Sequence, residues 1–107
     1  MAHASLDDLH AATCKVFTHP TRIRLLNALR KGPLSVTDLA RVVDLPQPNV
    51  SQHLAVMRGA GVLVQHREGT VIRYSVVSPK VHNAFDLMRE VLEDRLRETG
   101  RLTEVKA

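Results

Sequence analysis

A chain of 107 residues with 44% hydrophobic side chains is enough for one domain and one core, but one Tyr, two Phe and no Trp leave that core thin and aliphatic. Such a domain gains from burying more surface against a second copy, so a homodimer is expected. The formal charge of +4 is concentrated in residues 15–80, which hold ten basic against three acidic side chains; that favours a polyanionic partner, while the absence of a helix pairing a Lys/Arg-rich face with bulky aromatics argues against a membrane surface.

Leu6 to Phe17 predicts a first helix with Leu6, Leu9, Thr13, Val16 and Phe17 on one side. Thr18-His19-Pro20 breaks it. Pro20 opens a second helix at its first position, Ile23, Leu25, Leu26, Ala28 and Leu29 bury it, and Lys31-Gly32-Pro33 stops it. Arg22 and Arg24 fall on or near the polar side of that helix and are expected in solvent. Leu34-Ser35 reads as a short extended link, and Ser35 with Asp38 makes a capping-box-like start for a third helix, Val36 to Val43.

Asp44-Leu45-Pro46 turns the chain into the stretch Leu45 to Gly61, the centre of the functional argument. Pro46 and Pro48 favour an entry turn and a first helical turn, and Gly61 supplies a residue able to take positive φ at the far end. Val50, Leu54 and Met57 recur at i, i+4, i+7 and form one narrow apolar stripe. The opposite side carries Asn49, Ser51 and Gln52, with Gln47 and His53 on the flanks. These side chains are uncharged and most can both donate and accept, which suits reading base edges in a major groove.

After Gly61, Val62 to Arg67 is rich in β-formers, Glu68-Gly69 reads as a turn, and Val71 to Val76 alternates Ile72, Tyr74 and Val76 against Val71, Arg73 and Ser75. A hairpin with one apolar face is predicted. Its tip and outer face present Arg67, Thr70 and Arg73, the chemistry of a wing lying along a phosphate backbone. Ser78-Pro79 starts a last helix to about Arg97, with Val81, Phe85, Met88, Leu92 and Leu96 as a packing seam and Arg89–Glu93 and Glu93–Arg97 as solvated ion pairs. The seam is expected to meet the first helix and the symmetric copy, so that Leu6, Leu9, Val81, Phe85, Met88, Leu92 and Leu96 form the dimer contact.

Two helices joined by a short turn and followed by a hairpin define the expected fold: mainly α with a small β-hairpin wing, a winged helix-turn-helix of order α1-α2-(β1)-α3-α4-β2-β3-α5. One domain over residues 1–107 is expected, with residues 1–5 and 100–107 frayed. The chain carries no signal-peptide pattern, no apolar run long enough to span a bilayer and one Cys, which fits a reducing cytoplasm. It also lacks a nucleophile elbow, a phosphate loop, paired carboxylates and metal-hydrolase spacing, so no enzymatic activity is expected.

Lys15 to Leu26, Leu39-Ala40, Gln47 to Leu54, Arg58 to Val62 and Arg67-Glu68-Gly69 together resemble the ArsR/SmtB family of winged-helix repressors, in one order over about residues 9–97. The resemblance implies a homodimer that binds a double-stranded DNA operator, represses an adjacent operon and leaves when an inducer binds, often a metal ion. It also places the family's base-reading positions on Gln47, Asn49, Ser51 and Gln52. The family's metal sites do not carry over. One has two Cys where this chain has Ser35 and Thr37; the other pairs Asp-x-His with two distal His, where this chain has Lys80, His82, Glu93 and Leu96. Hydroxyls do not replace thiolates for a soft metal, and a cation replaces a carboxylate, so His82 is expected to be an ordinary surface or interface histidine.

The inducer is therefore open. Cys14 is the only thiol, and His10 lies one turn before it with Asp7 near the same stripe. A metal ion completed by a dimer partner, or thiol oxidation at Cys14, would make this pair a sensor; a small buried hydrophobe is the alternative role. A winged-helix dimer that acts through protein partners, or as a metal-binding protein without DNA binding, is the competing function, and the polar row of Asn49, Ser51 and Gln52 under a basic wing argues against it.

Overall fold

The structure, a computed structural model, describes residues 5–100; the expected frayed ends otherwise lie outside the described residues. Helix α1 spans Leu6–Val16, α2 Pro20–Ala28, strand β1 Leu34–Ser35, α3 Val36–Val43, α4 Gln47–Gly59, β2 Leu63–Glu68, β3 Val71–Val76 and α5 Pro79–Glu98. Ser5 opens α1 with a complete capping box, its hydroxyl accepting from the Asp8 N–H and the Asp8 carboxylate accepting from the Ser5 N–H, each at 3.1 Å. Those bonds favour the charged carboxylate, led by the one from the Ser5 N–H, and hold the Asp8 pKa below its ordinary value. No residue of α1 is buried. Phe17, just past its end, turns inward and meets Phe85 edge-on, ring centroids 4.6 Å apart.

The second helix ends sooner than its apolar pattern implies. After Ala28 the chain tightens into a 3₁₀ turn, Leu29–Lys31, because Gly32 precedes Pro33 and is barred from continuing the α-helix. Gly32 sits at φ 140°, a conformation that side chains with a Cβ avoid. The Leu26 carbonyl at the end of α2 accepts from the Leu29 N–H and, with its second lone pair, from His82 Nε2 of α5 at 2.7 Å. Beside this contact Arg30 pairs with Asp86 at 2.7 Å, so α5 is fastened to the end of α2 by one hydrogen bond and one ion pair. His82, expected to be ordinary, is a half-buried helix-docking residue.

Leu34-Ser35 is the short β1 of the expected order. It forms the third strand of an antiparallel sheet of order β1-β3-β2, with Leu34 opposite Tyr74 and Ser35 opposite Arg73. In the hairpin, Leu63 faces Val76, Gln65 faces Tyr74 and Arg67 faces Ile72. Glu68 pairs with Val71, so the turn is Gly69-Thr70 rather than Glu68-Gly69. Gly69 at φ 62° takes the first central position, as a two-residue hairpin connection with Gly leading requires.

Leu25 and Leu26 of α2, Leu39 of α3, and Val50, Leu54 and Met57 of α4 are fully buried, and Leu63 closes the core from the sheet. The tri-helical unit α2-α3-α4 thus shares one core, into which α4 turns its apolar stripe. Val81 and Phe85 of α5 pack against the same core. Past Phe85 the seam runs off it: Met88 is 58% and Leu92 54% exposed, as are Leu6 at 80% and Leu9 at 55% on α1. Of the expected ion pairs on α5, Glu93–Arg97 forms at 3.7 Å, joined by Asp94–Arg97 at 3.1 Å. Arg89 with Glu93 is not among the ion pairs of the described residues.

Candidate nucleic-acid interface

The turn before α4 is set by Asp44, which caps α3 in the left-handed conformation at φ 55° and returns its N–H to the Ala40 carbonyl. Leu45 and Pro46 complete the connection, and Pro46 enters α4 without a side-chain cap. Because Val50, Leu54 and Met57 point wholly into the core, helical geometry turns Asn49, Ser51 and Gln52 to the opposite side, where all three are exposed. Within the described residues the side-chain hydrogen bonds of α4 involve only Gln47 and His53. Asn49, Ser51 and Gln52 thus keep their donors and acceptors for an outside partner. Arg58, about two turns on at i+7 from Ser51, extends the outward row with a cation that makes no ion pair among the described residues. That spacing was the available signal for Arg58.

Gln47 is exposed but held: its Nε2 donates to Thr37 Oγ1 of α3 at 3.0 Å, fixing the start of α4 against the preceding helix. His53 departs further from a base-reading role. It is half-buried, and its Nδ1 accepts from Arg22 Nε at 3.1 Å. Arg22 is accordingly not in solvent as its helical position implied; it bridges to α4 and also donates from Nη1 to the Val16 carbonyl at 3.0 Å. Burial, then the charges of Arg22 and His19, hold the His53 pKa below the ordinary histidine value. No sequence pattern announces this pair, since its members are distant in the chain.

On the wing, Arg67 and Thr70 are exposed near the tip. Arg67 shares the face of Ile72 and Tyr74 but extends past the core, whereas Arg73 lies on the outer face opposite His66. Arg73 is half-buried and contacts Glu68 at 3.6 Å, which offsets part of its charge; Arg67 makes no ion pair among the described residues. Of the two arginines, Arg67 is the freer cation.

Away from this face, α1 and α5 enclose an open groove of about 720 Å³, floored by Phe17, Val81 and Phe85 and walled by His10, Cys14 and Leu92. In the protomer Cys14 is exposed there. Among the described residues no group of three His, Cys, Asp or Glu is placed to hold a metal ion.

A buried tri-helical unit, an outward polar row on its last helix and a basic hairpin beside it together make a winged helix-turn-helix DNA-binding protein. The comparisons with known proteins agree. A family profile described as "Bacterial regulatory protein, arsR family" matches residues 19–64. The transcriptional repressor PagR of Bacillus anthracis is 40% identical over 83% of this chain and 89% of its own length, and its crystal structure superimposes with a TM-score of 0.68 at 39% identity over 76% and 93% of the two chains. The crystal structure of Rv0081 from M. tuberculosis gives a TM-score of 0.81 at 35% identity, covering 91% of this chain and 98% of that one. The solution structure of the homodimeric winged helix-turn-helix DNA-binding domain of Mb0332 from Mycobacterium bovis gives 0.80 at 25% identity over 92% and 95%. The chain belongs to the arsR family of bacterial regulatory proteins. It is a transcription regulator and not an enzyme, and no helix among its described residues is long and apolar enough to cross a membrane.

Proposed function

We propose that the chain acts in the cytoplasm as a homodimeric repressor that binds a near-palindromic operator and leaves it on binding an inducer. Each α4 enters a major groove, Asn49, Ser51 and Gln52 read base edges, Gln47 orients the helix start, and Arg58, Arg67, Thr70 and Arg73 contact the phosphate backbone. The observation that carries this reading is the outward row of Asn49, Ser51 and Gln52, which is exposed and uncommitted on a helix whose opposite stripe is fully buried. A protein that had lost its DNA partner would have no use for that combination. The exposed apolar residues of α1 and α5 supply the dimer contact, which also covers the groove between them.

Footprinting on the DNA upstream of its own coding sequence tests the proposal. Protection is expected over two half-sites roughly 34 Å apart, the spacing that a twofold dimer imposes on B-form DNA. Equal affinity for this DNA and for random duplex would refute it.

A further inference from the structure

Arg22 stands where α1, α2 and α4 meet. From α2 its Nη1 donates to the Val16 carbonyl, one of the last in α1, at 3.0 Å, and its Nε donates to His53 Nδ1 of α4 at 3.1 Å. One guanidinium thereby joins the end of the helix that carries half of the exposed apolar face to the helix that carries the polar row. Arginine has donors only, so the contact requires a lone pair on Nδ1 and places the histidine proton on Nε2. The bond therefore exists only while His53 is neutral.

The surroundings make a second proton on His53 costly. The ring of His19, just before α2, lies 5.8 Å from the His53 ring, centroid to centroid. Lys15 of α1 lines the adjoining depression with His19 and Arg22, and no carboxylate does. The helix α4 itself, Gln47–Gly59, contains no acidic residue. Arg22, moreover, has no carboxylate partner among the described residues. Protonating His53 would replace an acceptor by a donor facing a guanidinium, beside the His19 ring.

We infer that Arg22 and neutral His53 form a clamp that sets α4 against α1 and α2, so that both are positioning residues for operator recognition and protonation of His53 releases the recognition helix. The inference rests on the proposed DNA-binding function and adds a proton to the ligands that weaken it. The sign follows from the depressed pKa of His53: the clamp is complete above the ordinary histidine value and is lost as pH falls through the lower value that His53 has in the folded chain.

The test compares affinity for the footprinted operator and for random duplex of equal length at about pH 7.5 and about pH 5, with the intact chain. Random binding strengthens as any histidine gains charge, so the ratio of the two affinities is the readout. In the wild type the ratio should fall about tenfold on acidification, the worth of one charge-assisted hydrogen bond. His53→Asn places an amide oxygen where Nδ1 accepts and does not titrate; it should keep the neutral-pH ratio and abolish the fall. Arg22→Lys keeps the charge but lacks the fork that reaches both acceptors, and should lose about tenfold in the ratio already at neutral pH. Ring ¹⁵N spectra supply a readout that does not involve DNA: the Nε2–H tautomer in the wild type, and a titration midpoint moving up toward ordinary histidine in Arg22→Gln, which removes the neighbouring charge. A wild-type ratio that ignores pH, or a His53→Asn protein that keeps the fall, overturns the inference. If the wild type prefers no DNA at neutral pH, the proposed function itself fails and the positioning role falls with it, whatever the ring spectra give.

Discussion

Leu92→Ala tests the proposed dimer contact separately from the protomer fold. Fully burying a Leu side chain is worth about 1.5 to 3 kcal/mol. In the protomer Leu92 is still 54% exposed, so about half of that gain is left for a second copy to supply. That is roughly 1 kcal/mol per protomer, and the twofold axis doubles it to about 2 kcal/mol per dimer, before any cavity left at the interface adds to the loss. The dimer Kd should therefore rise about thirtyfold. Leu54→Ala provides the contrast, because Leu54 is fully buried between α4 and the core; it should cost about 2 to 5 kcal/mol of protomer stability, equivalent to a Tm loss of ten degrees or more at this size. Sedimentation equilibrium over a concentration series reads the first effect and thermal unfolding the second. A wild type that sediments as a monomer at micromolar concentration, or a dimeric Leu92→Ala protein with unchanged Kd, would refute the assignment of this face.

Gln52→Ala should lose about 1 to 3 kcal/mol on the operator and little on random duplex, as measured by fluorescence anisotropy, if its amide pairs with a base edge. Arg67→Ala should weaken both DNAs alike and lower the slope of log affinity against log salt by about one phosphate contact. Arg73→Ala should do less than Arg67→Ala, because Glu68 at 3.6 Å already offsets its charge; a larger effect from Arg73 would show that the wing is misassigned. Asp44→Gly should leave stability unchanged or raise it by up to about 1 kcal/mol, since φ 55° at the end of α3 is easy for glycine, whereas Asp44→Val should cost about 1 to 2 kcal/mol in urea unfolding.

The five helices, the hairpin and the helix-turn-helix were legible in the sequence because they rest on local rules. Apolar residues at Val50, Leu54 and Met57 impose a helical stripe whatever packs on it, and alternation at Ile72, Tyr74 and Val76 imposes a strand. The outward placing of Asn49, Ser51 and Gln52 follows from that stripe by helical geometry alone. Tertiary structure decided what depends on residues far apart in the chain. Leu34-Ser35 is too short to carry a pattern and becomes a strand only because Tyr74 and Arg73 arrive beside it. Cys14 borders an apolar side, yet it is exposed because α1 leans away from the core and meets α5 only across an open groove. His82 finds the Leu26 carbonyl at the end of α2, and His53 finds Arg22. A helical wheel puts His53 on the flank of the reading face; it cannot say whether DNA or a neighbouring helix meets that flank first, because the choice is made by how α2 packs on α4 and not by anything within α4.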